Sequence, residues 1–131
     1  MDVAETIVLN VWVGWFGFLG GTIAGIVQGM FFHEDDWLGG YGSWKRRMIR
    51  LGHISFFGIG LLNLSYGFSA FLFNVVRWAT PTSWLFVVGE ITMPLICYLS
   101  AIKKPFRNLF FIPVLSILIG IILFVIGGLL P

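Results

Sequence analysis

Residues 109–130, LFFIPVLSILIGIILFVIGGLL, are apolar almost throughout and contain no charged side chain, and they give the clearest indication of the fold class. A helix needs about 20 predominantly apolar residues to cross the hydrocarbon core of a bilayer, and this stretch is long enough. Three more apolar stretches precede it, at residues 11–32, 51–73 and 83–101. The sequence therefore predicts an all-α membrane protein that forms a bundle of four transmembrane helices.

The composition of the whole chain excludes a soluble globular domain and a disordered chain. Hydrophobic residues make up 58% of its 131 residues and charged residues 11%, whereas soluble domains carry about a quarter charged residues. The four predicted spans leave only chain ends and loops, so we expect residues 1–131 to form a single integral membrane domain. The single cysteine, Cys97, lies within the third span and excludes an intramolecular disulfide.

The basic residues are distributed unevenly among the three connections between the spans. Arg77 is the only one in the second connection. The others flank the first and third connections: Lys45, Arg46, Arg47, Arg50, Lys103, Lys104 and Arg107. Because Lys and Arg accumulate in cytoplasmic loops, we predict that these two connections are cytoplasmic and that both chain termini are extracytoplasmic. The compact size and steep charge bias favour a bacterial inner membrane.

Small residues repeat along one face of the first span, and the second span has a comparable face. The glycines of these faces are Gly14, Gly17, Gly21, Gly25, Gly60 and Gly67. Small residues let two helix backbones approach closely in a membrane, where lipid provides no hydrophobic drive for association. The faces are therefore either a dimerisation surface or the packing surface between helices of the same chain.

Three polar side chains within the spans are candidates for function: Glu90, Asn63 and Gln28. Glu90 is the only acidic residue inside a predicted span, and an ionisable group at that depth is costly and often functional. It could relay protons or hold a cation. Alternatively, it stays protonated and hydrogen-bonded to the second span, where Asn63, Tyr66 and Ser69 are the available partners.

The two histidines, His33 and His53, are predicted at similar depth near the cytoplasmic ends of the first two spans. Two such histidines suit the axial ligation of a b-type haem or a shared metal ion, and Glu34, Asp35 and Asp36 could complete a metal shell. Helical geometry turns His33 away from the glycine face. An interfacial His33 and a buried, hydrogen-bonded His53 are therefore the alternatives.

The basic residues that lead into the second span suit contact with anions. Lys45, Arg46, Arg47 and Arg50 are expected to anchor the chain to anionic lipid headgroups. Arg50 and His53 are three residues apart and share a helix face, where a carboxylate, a haem propionate or a lipid phosphate would fit. Topology accounts for the basic residues, so no nucleic-acid partner is predicted.

These observations lead to three hypotheses of function. The first is a non-enzymatic subunit, assembly factor or scaffold of a larger membrane complex, which binds other membrane subunits or a second copy of itself. The second is a haem- or metal-binding protein that uses His53 with His33. The third is a proton- or cation-coupled transporter that uses Glu90. The size and lone glutamate are similar to those of small multidrug transporters, although that glutamate lies in their first span and Glu90 lies in the third.

Overall fold

A computed structural model describes residues 2–130 and shows four long helices, with no strand in that range. The helices are α1 (Val3–Phe31), α2 (Trp44–Leu72), α3 (Ala79–Ile102) and α4 (Phe111–Phe124). A 3-10 helix, Lys104–Phe110, precedes α4, and a π-helical turn, Val125–Leu129, follows it. All four helical segments are long and apolar enough to cross a membrane, counting Lys104–Gly128 as the fourth. The predicted all-helical fold with four helices able to span a membrane is confirmed over residues 2–130.

The first two helices begin about two turns before the predicted spans because polar caps start them. The carboxylate of Asp2 accepts a hydrogen bond from the backbone N–H of Glu5 at 2.7 Å, and that of Glu5 accepts one from the N–H of Asp2 at 3.1 Å. This reciprocal pair is a capping box. The hydroxyl oxygen of Ser43 caps α2 by accepting from the N–H of Arg46 at 3.2 Å.

The third helix occupies the centre of the bundle. α3 packs against α1, α2 and α4, whereas α4 packs mainly against α3. The ring of Phe124 at the end of α4 also reaches α2, where it meets Tyr66 edge-on at 5.2 Å between centroids. Large apolar side chains such as Leu19, Phe71 and Leu118 point outward, as contact with lipid requires. Groups on the inner face of α3 are therefore the ones shielded from the surroundings.

Both basic connections lie at the same end of the bundle. Trp44, at the start of α2, donates its indole N–H to the Ser100 carbonyl oxygen at 2.8 Å. Lys45 and Lys104 line one cavity at this end. At the opposite end, Val3 lines a cavity with the turn between α2 and α3. The two basic connections and the nearly uncharged second connection therefore lie at opposite ends of the bundle. Which side of the membrane each end faces remains a prediction.

Candidate functional site

The glycine face of α1 packs against α2. A Cβ atom at Gly14 would lie 2.7 Å from the Gly60 carbonyl oxygen, and one at Gly21 would lie 2.7 Å from the Phe57 ring. At the two ends of this interface, Gly25 lies against His53 and Gly67 lies against Val11. The small residues thus serve close packing within the chain, and α2 covers the face that a dimer partner would otherwise use.

Gly17 has a different neighbour from the other glycines of α1. A Cβ atom there would lie 2.9 Å from the carboxyl carbon of Glu90 on α3 and 3.1 Å from the Phe56 carbonyl oxygen on α2. The missing side chain at position 17 is therefore what lets the Glu90 carboxyl group fit where α1, α2 and α3 meet.

The carboxyl group of Glu90 is buried and has no hydrogen-bond partner. Glu90 is 5% exposed, and neither of its two oxygens is paired within residues 2–130. Tyr66 donates its hydroxyl to the Ala79 carbonyl oxygen at 2.7 Å instead. Among the expected partners on α2, the Asn63 side chain lies beside the Glu90 carboxyl group without a hydrogen bond of normal geometry, and Tyr66 bonds elsewhere.

Glu90 lines a cavity between α1 and α3, which we call the Glu90 groove. Its volume is about 520 Å³ and its walls are almost entirely apolar. The lining residues are Val13, Phe16, Gly17, Phe56, Glu90, Ile91, Pro94, Leu95 and Tyr98. The Tyr98 hydroxyl is buried and also unpaired in the described part of the chain. Pro94 has no N–H, so the Glu90 carbonyl oxygen lacks its usual helical donor.

Asn63, whose side chain lies beside the Glu90 carboxyl group, belongs to a well-satisfied polar network. Its Oδ1 accepts from the side-chain amide of Asn10, and its Nδ2 donates to the carbonyl oxygens of Ile59 at 3.1 Å and Phe86 at 3.3 Å. The Ser83 hydroxyl donates to the Asn10 side chain. The sequence analysis missed Asn10 because it lies just before the predicted first span. The capping box at Asp2 and Glu5 is the signal that extends the helix over it.

The two histidines have different surroundings. His53 lines a cavity with Arg50 and Gln28, and its ring meets Phe57 edge-on at 5.4 Å between centroids. His33 is exposed and is not among the residues that line this cavity. Over residues 2–130, no three His, Cys, Asp or Glu side chains are grouped as a metal site. The acids at 34–36 thus complete no metal shell there, and haem ligation by the two histidines stays a prediction.

Arg46 differs from its expected role as a headgroup anchor because its side chain is buried, at 3% exposure. Its guanidinium donates to the Phe32 carbonyl oxygen at 2.9 Å and to those of Glu34 and Asp35, both at 3.3 Å. It also lies 5.0 Å from the centroid of the Phe32 ring. A cation at a helix C-terminus is favourable, so Arg46 holds the end of α1 and the following turn together.

The other three basic residues of this region remain accessible. Lys45 and Arg47 are exposed, and Arg50 is half-buried with its guanidinium 4.1 Å from the centroid of the Tyr41 ring. Headgroup anchoring therefore remains a prediction for these three side chains.

Comparisons with protein-family models, with curated proteins and with solved structures gave no match to this chain.

Proposed function

We propose that this protein is a non-enzymatic subunit, assembly factor or scaffold of a larger membrane complex, and that its Glu90 groove receives a transmembrane helix of a partner protein. The observation that carries this proposal is the buried Glu90 carboxyl group, whose two oxygens have no partner among the described residues.

An unpaired polar group within a membrane favours association with another helix. Lipid hydrocarbon offers no hydrogen-bond partners. An unsatisfied polar group there therefore carries a free-energy penalty on the order of several kcal/mol. Hydrogen bonds between helices and close packing at small residues drive association in lipid. Glu90 supplies acceptor oxygens, and two residues without long side chains, Gly17 and Pro94, line the groove beside it. A partner helix that carries a Ser, Thr or Asn donor fits this chemistry.

The test places a photo-crosslinking benzoylphenylalanine at Phe16 or at Phe68 in native membranes. Phe16 lines the Glu90 groove and is 63% exposed, whereas Phe68 on α2 is 59% exposed and lies outside the groove. The two positions therefore match in residue type and exposure. We expect a discrete protein adduct from position 16 and none from position 68.

Two substitutions of Glu90 test whether formation of the adduct at position 16 depends on the Glu90 carboxyl group. Glu90→Met removes both oxygens, so we expect the adduct at position 16 to disappear. Glu90→Gln keeps one acceptor oxygen, so the adduct should persist. Equal adducts at positions 16 and 68, no protein adduct at position 16, or an adduct unaffected by Glu90→Met would overturn the proposal.

Proton- or cation-coupled transport is the second candidate function. The observation that favours it is that Glu90 and Tyr98 both line one cavity and carry buried side-chain oxygens that are unpaired in residues 2–130. Oxygen ligands suit protons and hard cations. Purified protein in vesicles should then carry a proton or cation flux that Glu90→Gln abolishes. Glu90→Gln thus separates the two candidates, since it preserves partner binding and removes ionisation.

For either function, we propose that the membrane is a bacterial inner membrane and that the basic end of the bundle faces the cytoplasm. The supporting observation is the steep Lys and Arg bias between the two ends.

A further inference from the structure

A second cavity lies between α1 and α2, apart from the Glu90 groove. Its volume is about 280 Å³, and its walls include Gly25, Gln28 and Gly29 of α1 together with Arg50, His53 and Ile54 of α2. None of the residues that line it carries a carboxylate. The polar side chains of its wall can all act as hydrogen-bond donors.

Two of these polar side chains have no partner in the part of the chain that the structure describes. Gln28 is only 8% exposed, and its amide nitrogen Nε2 is buried without an acceptor. Nδ1 of His53 is likewise buried and unpaired. A buried donor that lacks an acceptor is unfavourable. A ligand that brings acceptor oxygens into this cavity would therefore be bound favourably.

Arg50 adds a positive charge to the same wall. Its Nη2 donates to the Tyr41 carbonyl oxygen at 3.1 Å, and its guanidinium stacks on the Tyr41 ring. A guanidinium carries five N–H donors, so this contact leaves others for a ligand. Charge-assisted hydrogen bonds from such a fork suit phosphate oxygens.

Two glycines of α1 provide the space for a ligand. A Cβ atom at Gly25 would lie 2.8 Å from Cε1 of His53, so glycine lets the imidazole lie against the α1 backbone. A Cβ atom at Gly29 would meet nothing within 4 Å. Gly29 is exposed and lines the cavity, so a side chain at this position would stand at the cavity mouth without a clash.

We propose that Gln28, Arg50 and His53 bind a phosphate group, and that a phospholipid headgroup carries it. The exposed Lys45 and Arg47 belong to the same end of α2, and basic residues at a membrane surface attract anionic lipids. Inorganic phosphate has the same chemistry and is the other source that the experiment distinguishes. The site is independent of the function assigned to the Glu90 groove.

The test measures binding to the full chain in detergent by native mass spectrometry with three probes. The probes are phosphatidylglycerol, diacylglycerol with the same acyl chains, and inorganic phosphate. We expect phosphatidylglycerol to bind most tightly, and Arg50→Gln to weaken it by about tenfold or more because charge-assisted hydrogen bonds are lost. The matched control is Arg107→Gln, which removes the same charge from an exposed position outside the cavity and should change the affinity by less than about twofold.

Two further variants keep the proposal testable if Arg50→Gln fails to fold. Gly29→Leu fills the cavity and leaves all three polar side chains in place. Gln28→Met removes an amide nitrogen that has no protein partner. Both should weaken binding of phosphatidylglycerol while the melting temperature in detergent is retained.

Three outcomes would overturn the phosphate site. The first is that diacylglycerol binds as tightly as phosphatidylglycerol. The second is that Arg107→Gln weakens binding as much as Arg50→Gln. The third is that Gly29→Leu and Gln28→Met both leave binding unchanged. If inorganic phosphate binds more tightly than phosphatidylglycerol, the phosphate site stands, but its ligand is free phosphate and not a lipid headgroup.

Discussion

The side-chain amide of Asn10 on α1 donates a hydrogen bond of 2.7 Å to Oδ1 of Asn63 on α2. Asn10 also accepts from the Ser83 hydroxyl on α3, and all three side chains are fully buried. Asn63 donates in turn to the carbonyl oxygen of Phe86, one turn before Glu90. One hydrogen-bond network therefore connects the three helices that form the Glu90 groove.

Removal of the Asn10 amide should loosen these three helices. Asn10→Leu leaves Oδ1 of Asn63 without its donor, so we expect the free energy of unfolding in detergent to fall by about 1–2 kcal/mol. Hydrogen bonds between membrane helices contribute about 0.6 kcal/mol on average and up to about 1.7 kcal/mol. Asn108→Leu, at an exposed position, is the control and should change the stability little. A double-mutant cycle with Asn63→Leu that gives no coupling energy would contradict the role of this pair.

An added methyl group in the glycine interface between α1 and α2 should destabilise the protein, whereas one on an open face of α2 should not. The added methyl group of Gly14→Ala would meet the Gly60 carbonyl oxygen and the Leu64 side chain, and a backbone atom cannot easily move away. We expect a loss of about 1–3 kcal/mol in unfolding free energy. Gly58→Ala on α2, where a Cβ atom meets nothing within 4 Å, should cause no loss. Equal stability of the two variants would show that the interface is looser than described.

The buried guanidinium of Arg46 should hold the connection between α1 and α2. Arg46→Gln removes its hydrogen bonds to the carbonyl oxygens of Phe32, Glu34 and Asp35. We expect faster limited proteolysis within residues 32–43 and a loss of about 1–3 kcal/mol in unfolding free energy. Arg47→Gln changes an exposed neighbour and should alter neither quantity. Similar proteolysis of both variants would mean that charge, and not these contacts, orders the segment.

The unpaired state of Glu90 predicts that its carboxyl group does not stabilise the isolated chain. Glu90→Met replaces it by an apolar side chain of similar length, so the unfolding free energy in detergent should stay the same or rise by about 1 kcal/mol. A loss above about 2 kcal/mol would reveal hydrogen bonds of Glu90 within the chain and would argue against a partner helix in the groove.

The orientation of the chain can be tested by cysteine labelling in a Cys97→Ala background. Asp36→Cys and Val76→Cys introduce thiols at exposed positions in the connections at opposite ends of the bundle. With a membrane-impermeant maleimide added to intact bacterial spheroplasts, Val76→Cys should react, and Asp36→Cys should react only after permeabilisation. The reverse pattern would invert the predicted topology.

The helix boundaries show which local signals hydropathy misses. Apolar stretches identify what can lie in lipid, but the helices begin at the polar caps Asp2 and Ser43. Those caps bring Asn10 into α1 and the basic residues 45–47 and 50 into α2. Both caps are readable from the sequence, because Ser and Asp are favoured N-cap residues. Asp2 also has Glu5 three residues later, which completes a capping box.

The candidate site could be predicted only in part. Glu90 was identified because an acid within an apolar span is conspicuous on its own. Its surroundings depend on how α1, α2 and α3 dock, so its position against Gly17 and its lack of a bond to Tyr66 could not be read from spacing. The burial of Arg46 likewise follows from the fold of residues 32–43, whose carbonyl groups converge on its guanidinium.

The four apolar helices and the segregation of the basic residues follow from the order of the amino acids alone, because each depends on residues that are near one another in the chain. Which polar groups are hydrogen-bonded and which are left unpaired depends instead on how the helices pack. Asn10 and Asn63 meet, whereas Glu90 and Gln28 have no partner in residues 2–130. A hydrogen bond between helices requires two side chains at one depth and on facing sides, and that depends on the packing of the whole bundle.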